Sequence, residues 1–197
     1  MKRFIGRLGK CGKRGSRGVA AVEFALMMPV LMLLLVGTVD ITSYVSAALK
    51  LERVSSGTAD VGTQYEKLRD GMTVVKGDEI GMLFLAAEQI AKPLDLTRYG
   101  AVVITCVSDQ GEGAKVMWQR RSGGLQAASE ISAAGGLKLP AGFSLRYGDS
   151  VLFVEVFYTL HPYLFSIGWL SPDDTRVDLR SVAVYRPRFG TLTSLSQ

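Results

Sequence analysis

The sequence is poor in the residues on which most enzymes and metal sites depend. It has one histidine, His161, and two cysteines, Cys11 and Cys106. If the N-terminal segment with Cys11 is removed, one His and one Cys remain, too few for a zinc site built from His and Cys ligands. It also has no G-x-S-x-G, P-loop, G-x-G-x-x-G or H-E-x-x-H motif. We therefore expect a protein that is not an enzyme and that binds no cofactor or metal.

The histidine and the second cysteine both have simpler structural explanations. Cys106 alternates with Val102 and Ile104 in a predicted strand, which indicates a small core residue rather than a nucleophile. His161 stands at a strand end before Pro162, where a surface or edge position is expected. A catalytic Cys–His pair remains an open alternative that no other residue supports.

Acidic residues are absent from the first 18 positions, which hold seven of the basic residues. Without that segment the chain has 16 Lys and Arg against 18 Asp and Glu, a net charge of −2. The overall charge of +5 is therefore no argument that the folded part binds nucleic acid. We expect residues 1–18 to be a basic cytoplasmic leader; a disordered arm that binds nucleic acid is the alternative.

Charge is nearly absent from the next segment, Val19–Val39, where Glu23 is the single charged side chain. As a helix this segment would span about 31 Å at ~1.5 Å per residue, close to the ~30 Å hydrocarbon core of a bilayer. The basic residues before it favour a cytoplasmic N-terminal side. Pro29 is expected to kink this helix without ending it, because neighbouring groups in a membrane satisfy the freed carbonyl.

A secretory signal peptide would also combine a basic start with an apolar centre. Ser46-Ala47-Ala48 offers the small residues that such a cleavage site needs, with the cut after Ala48. However, the apolar part of a signal peptide usually has about 7–15 residues, and the run here is longer and holds Glu23 near its start. We favour a retained membrane helix and keep cleavage after Ala48 as the alternative.

Apolar residues continue at helical spacing beyond the apolar run. They recur every three or four positions from Ile41 to Leu68, and no proline falls between Pro29 and Pro93. This pattern predicts one unbroken helix over about 19–69, whose second half has one face packed against another part of the protein.

The chain is therefore expected to fall into three parts. The predicted parts are a cleaved leader at 1–18, a long N-terminal helix at 19–70 (transmembrane over 19–39, amphipathic over 40–69) and a periplasmic domain at 71–197.

A second helix and four strands are predicted in the C-terminal domain. Asp78 is a candidate N-cap for the helix, and Pro93 closes it. The alternating segments predict strands at Ala101–Val107, Val116–Arg121, Ser150–Leu160 and Arg176–Tyr185. The first two strands are expected to form a hairpin around the turn Asp109–Gly113, and residues 122–149 a long, partly ordered loop. The predicted class is α+β, with an antiparallel sheet of about four strands packed on helices.

Two further groups of residues are candidate ligand sites. Asp173, Asp174 and Asp178 would suit calcium, but their spacing does not match an EF-hand loop, so turn capping is the better interpretation. Trp118 and Trp169 are expected to be core and loop-packing residues and not a platform for stacking ligands.

A short motif stands between the basic leader and the apolar helix. Gly18 is followed by four small or apolar residues and then by Glu23-Phe24. This arrangement resembles the processing site of type IV prepilins. The form Gly-x-x-x-x-Glu-Phe resembles that of the TadE/TadG-like minor pilins, or pseudopilins, of Flp/Tad (tight adherence) pilus systems. The resemblance continues through the apolar helix and its amphipathic continuation, and reaches the C-terminal domain only in outline.

The resemblance implies that a prepilin peptidase cuts between Gly18 and Val19 on the cytoplasmic side of the membrane. Gly18 has no side chain, so an extended backbone would fit a narrow cleft there. The resemblance also implies that Glu23 and Phe24 serve assembly, with Glu23 neutralising the new amine of a neighbouring subunit's Val19 and setting its axial register. A paired carboxylate is tolerable in a low dielectric where a lone one is costly. A Glu23 that only reaches the headgroups is the alternative.

A role as a minor pilin or pseudopilin is expected, because the major pilins of this family are much shorter chains. The implied partners are a prepilin peptidase, other pilins or pseudopilins, the inner-membrane pilus assembly platform and the lipid bilayer, with no nucleic acid. The chain would cross a bacterial inner membrane once, with its C-terminal domain in the periplasm, and could enter an extracellular pilus. The competing interpretation is a signal-anchored periplasmic binding or sensor domain that is not processed.

Overall fold

The fold is α+β, as predicted, in a computed structural model that describes residues 15–71, 79–133, 136–139, 143–162 and 176–196. A long N-terminal helix leads into a domain with a four-stranded antiparallel sheet and two shorter helices. The helices are α1 (Gly15–Gly62), α2 (Glu79–Ala91) and α3 (Leu96–Tyr99). The strands are β1 (Leu68–Arg69), β2 (Gly100–Asp109), β3 (Ala114–Ser122), β4 (Ser132–Ala133), β5 (Gly136–Leu137), β6 (Ser150–Leu160), β7 (Val177–Tyr185) and β8 (Leu195–Ser196).

The main sheet has the strand order β3-β2-β6-β7, and each neighbouring pair is antiparallel. The predicted hairpin of β2 and β3 is confirmed, and β6 begins and ends where the alternation predicted. Ile104 is paired with Val154, which is paired in turn with Ala183, so apolar side chains of three strands share one face. The period-two pattern thus predicted the strands and also the face that they bury.

Helices α1 and α2 cover this face of the sheet. The second half of α1 packs on β6 and β7 and contacts α2 along its side. Leu51 and Val54 of α1 are buried in the same core as Ile80 and Leu83 of α2. Since burial of apolar surface is the main favourable term in folding, the second half of α1 is part of the domain core and not a separate linker.

The opposite face of the sheet is also covered, although the sequence predicted only a partly ordered loop over 122–149. We call the described residues between 123 and 149, which follow β3, the covering segment. It contains the short antiparallel pair β4–β5, and its Ile131 is buried against Val151 and Phe153 of β6. Phe143 meets the ring of Phe153 edge-on, with the centroids 5.9 Å apart. The sheet is therefore enclosed on both faces.

Helix α1 ends at Gly62, seven residues before the end at 69 that the apolar spacing predicted. A Cβ on Gly62 would lie 2.9 Å from Cδ2 of Leu152, so the close approach to β6 favours glycine at this point. Just after the helix, the carbonyl oxygen of Thr63 accepts a 3.0 Å hydrogen bond from the backbone amide of Arg188, in the C-terminal part of the chain. Leu68, which continued the helical spacing, lies in β1 instead.

A small parallel pair, β1 with β8, was not predicted. It joins Leu68 to Leu195 and so ties the C-terminal part of the chain to the end of α1. Trp118 of β3 anchors the same part, since its indole Nε1 donates a 2.7 Å hydrogen bond to the carbonyl oxygen of Leu192. Arg188 adds a salt bridge to Asp60 of α1, at 2.5 Å.

Some sequence predictions concern residues outside those that the structure describes. They are the leader up to residue 14, the helix N-cap at Asp78, Trp169, and the turn at Ser171-Pro172-Asp173-Asp174 with its proposed capping role.

Candidate functional site

The proposed cut site, Gly18–Val19, lies inside α1 and not before it. The helix begins at Gly15, four residues earlier than predicted. A Cβ placed on Gly18 would have no heavy atom within 4 Å, and the residue is exposed. No packing contact with the described chain therefore requires glycine at position 18.

The segment after Gly18 has an apolar surface that the rest of the chain leaves uncovered. Helix α1 contains a stretch with a mean hydropathy of 2.5 in which no residue is buried, and its length and composition are sufficient to cross a membrane. The exposed side chains include those of Val19, Phe24, Leu31 and Leu35. In water such a surface would be strongly unfavourable, so it indicates contact with lipid or with other apolar helices.

Glu23 lies on this uncovered part of α1, four residues after Val19, so the two are neighbours on the helix surface. The Glu23 side chain is exposed, and no salt bridge or side-chain hydrogen bond joins it to the described residues. Phe24, beside it, is also exposed. Pro29 lies inside α1, and the helix runs on past it as predicted; its kink stays a prediction.

The change from an exposed to a packed helix occurs near Asp40. Val39 is exposed, Asp40 is buried, and from Ala47 onward one face of α1 packs on the domain. Cleavage after Ala48, the alternative raised by the sequence, would divide this packed region between Ala47 and Leu51. The predicted division of the helix into an apolar and an amphipathic half therefore corresponds to a change in its surroundings.

Cys106 and His161 lie in different surroundings, one in the core and the other just past the end of β6. Cys106 is fully buried in the core, and burial raises the pKa of its thiol to about 12, so the nucleophilic thiolate is scarce at neutral pH. His161 is exposed at the end of β6, where its ring meets Tyr99 edge-on with the centroids 5.4 Å apart. The predictions of a core cysteine and an edge histidine are confirmed.

The remaining candidates have structural roles where the structure describes them. Trp118 is buried in the core, as predicted. Asp178 accepts a 2.7 Å hydrogen bond from the hydroxyl of Thr159 on the neighbouring strand. Among the described residues, no group of three or more His, Cys, Asp or Glu side chains is arranged to hold a metal ion.

Two features of the domain were missed by sequence reasoning. Glu155, on the strand face away from α1, is fully buried and bonded to Arg180 and to the covering segment. A cavity between Asp40 and His161 lies where α1 meets the end of β6. The unbroken apolar run around Glu155 was a signal for its buried ion pair, because a charge within such a strand needs a partner. The cavity depends on contacts between residues distant in sequence, and no local pattern indicates it.

The comparisons with known proteins bear on the N-terminal segment. A family model described as TadE-like protein matches residues 18–60, from the proposed cut residue to near the end of α1. No curated protein and no solved structure matches the chain. The matched segment contains Gly18, Glu23 and Phe24 and both the exposed and the packed part of α1, so the N-terminal segment of the chain is TadE-like.

Proposed function

We propose that this chain is a minor pilin or pseudopilin of a Flp/Tad-type pilus assembly or secretion system. A prepilin peptidase removes residues 1–18, and the mature chain is anchored in the inner membrane by Val19–Val39 with its domain in the periplasm. It then joins other pilins or pseudopilins through α1, at the pilus assembly platform. The observation that carries this proposal is the TadE-like match, which begins at the residue where the prepilin motif places the cut.

The surroundings of Gly18 support a role for this residue outside its own fold. Glycine lowers helix stability by about 1 kcal/mol relative to alanine, yet no contact in the described chain needs glycine there. A peptidase that binds an extended backbone must unwind the start of α1, and a glycine at the cut makes this easier. The first turns of α1 would therefore open for cleavage and form again in the mature chain.

The surroundings of Glu23 support a role in assembly. A carboxylate within a membrane helix is costly unless it has a partner, and the described residues offer Glu23 no partner. The positive amine that cleavage creates on Val19 of a neighbouring subunit would neutralise it. Such a pair fixes the axial position of one subunit against the next, because the charges must lie at the same depth.

Processing is tested by substitution at the cut. Gly18→Arg places a long charged side chain in the peptidase cleft and is expected to abolish cleavage, whereas Gly18→Ala is largely tolerated. Gly15→Arg is the matched control, because it adds the same charge three residues upstream and outside the cut. Cleavage is measured by the mobility and intact mass of the chain after co-expression with a prepilin peptidase.

The proposal predicts that the Gly18→Arg chain keeps its full mass while the Gly15→Arg chain loses its leader. Normal processing of the Gly18→Arg chain would contradict it. A chain that is never shortened, even without substitution, would instead favour the unprocessed anchor of a periplasmic binding or sensor domain.

A further inference from the structure

A cavity of about 640 Å³ lies where α1 leaves its apolar segment and meets the domain. One wall is formed by successive turns of α1, including Asp40, Ser46 and Lys50. The other wall is formed by the end of β6, by α3 and by the loop before α3, including Tyr99 and His161. The cavity therefore begins directly after the membrane-length apolar run Val19–Val39.

The end of the cavity nearest the apolar run corresponds to the headgroup layer of the leaflet in which α1 leaves the hydrocarbon. The hydrocarbon core is about 30 Å thick, and the polar regions bring a bilayer to about 40–45 Å. If Val39 lies at the hydrocarbon boundary, Asp40 and Ser43 lie in the headgroup layer. Lys50 lies about 15 Å above Asp40 along the helix, and helical side chains lean toward the N-terminus, so its long side chain is directed back toward this layer.

The chemistry of the walls fits a phospholipid headgroup. Lys50 is the Lys or Arg cation in the lining, and the ring of Tyr99, another lining residue, carries the guanidinium of Arg98 5.1 Å from its centroid. The hydroxyls of Ser43 and Ser46 are further hydrogen-bond donors for phosphate oxygens. Tyrosine at this depth is typical of membrane interfaces.

A further part of the lining agrees with a lipid and not with a small free anion. Leu94 and Leu160 are only partly covered and give the cavity an apolar side, as the glycerol ester and first methylenes of a lipid require.

We propose that this cavity binds the headgroup of a phospholipid from the adjoining leaflet, with the phosphate near Ser43 and Ser46 and the side chain of Lys50 reaching back to it. The bound lipid fixes the height of the domain above the membrane and the rotation of α1. This inference rests on the membrane placement of α1 and not on cleavage after Gly18, so a test with the uncleaved chain separates the two.

The test uses the full chain in nonionic detergent, titrated with dioleoylphosphatidylglycerol and followed by native mass spectrometry. Lys50→Gln is expected to weaken lipid binding about fivefold, the effect typical of one basic residue at a membrane surface. Lys115→Gln is the matched control, because Lys115 is exposed at the β2–β3 turn and lies outside the cavity. It is expected to bind as the unchanged chain does.

A second variant tests the space inside the cavity and leaves the charge of Lys50 unchanged. Ser46→Phe fills the cavity from an exposed helix position, which the fold tolerates, and is expected to lower lipid occupancy with an unchanged melting temperature. Equal binding by the Lys50→Gln, Ser46→Phe and Lys115→Gln chains would overturn the proposal. Displacement of the lipid by an equal concentration of inorganic phosphate would also overturn it, because the site would then take a free anion.

Discussion

Glu155 and Arg180 form an ion pair on the face of the sheet away from α1, with Nη2 of Arg180 2.7 Å from Oε1 of Glu155. Glu155 is fully buried, whereas 30% of the Arg180 side chain is exposed. The same carboxylate accepts hydrogen bonds from the hydroxyl of Ser129 and, over 3.1 Å, from the amide of Glu130. The buried carboxylate and Arg180, which also pairs with Glu130 over 2.8 Å, thus add to the apolar contacts that hold the covering segment on the sheet.

Removal of Arg180 is expected to leave this buried carboxylate without its cation. Arg180→Leu should lower the free energy of unfolding by about 3–5 kcal/mol, as is typical when one partner of a buried pair is lost. Arg186→Leu is the matched control. Arg186 is largely exposed, with its Nη1 3.4 Å from Oδ2 of Asp149, so its replacement should lower the free energy of unfolding by less than about 1 kcal/mol. Urea unfolding of the full chain in detergent, followed by Trp fluorescence, measures both. Equal losses would contradict the role given to Glu155.

A second ion pair predicts a pH dependence of stability. The guanidinium of Arg120 donates hydrogen bonds to Asp70, with Nε 2.7 Å from Oδ1, and these bonds lower the pKa of Asp70 below its ordinary value of 3.8. The carboxylate is therefore favoured by folding. Its contribution is fully present above about pH 4 and is lost as the pH falls through the lowered pKa.

Because both side chains are about one-third exposed, this contribution is expected to be at most about 1 kcal/mol. The difference in unfolding free energy between the unchanged chain and Asp70→Asn should be constant from pH 5 to 7, a window set by the ordinary carboxyl pKa of ~4, and should shrink below it. A difference that grew toward acid pH would have the wrong sign and would contradict the assignment.

Burial of Cys106 predicts that its thiol is unreactive in the folded chain. Both its inaccessibility and its raised pKa of about 12 suppress the thiolate that reacts with iodoacetamide. In a Cys11→Ser background, labelling at pH 8 is expected to be slow and to become rapid once urea unfolds the domain. Rapid labelling under native conditions would show that the core between α1 and the sheet opens easily.

Much of the fold could be predicted from the sequence, because its main strands and helices carry regular periodicities. The alternation in β6, with Leu152 and Val154 toward the helices, is one example. The covering segment could not be predicted, since its contacts, such as Ile131 with Phe153, join irregular backbone to a distant strand. The end of α1 was missed for a related reason: Leu68 fits the helical spacing, but pairing with Leu195 determines its conformation.

Some residues of the candidate site could be identified from the local sequence, and others could not. Gly18 was identified through the resemblance to the prepilin processing site, and Glu23 because a carboxylate within an apolar helix is costly unless it has a partner. The cavity beside Asp40 was not identified, because His161 and Tyr99 reach it only through the pairing of β6 with β2. A sequence pattern can show that a residue is unusual, but a pocket can be recognised only when the tertiary contacts that form it are known.

The role proposed for Glu23 predicts a defect in assembly and not in membrane insertion. Glu23→Ala removes the carboxylate that would pair with the amine of a neighbouring Val19, so less of the chain should enter the assembled pilus or secretion complex. Glu52→Ala is the control, because Glu52 is an exposed carboxylate on the same helix beyond the apolar segment. The measurement is the ratio of the chain in sheared pili to that in membranes. Equal ratios for the Glu23→Ala chain and the unchanged chain would remove the argument for charge pairing.

The most direct test of the account is the N-terminal residue of the mature chain, determined by intact mass and N-terminal sequencing after isolation from bacterial membranes. Processing at the prepilin motif predicts Val19 as the first residue, with Glu23 and the whole apolar segment retained. A chain that begins at Met1 would contradict it and support an unprocessed anchor, and one that begins at Leu49 would support a secreted domain.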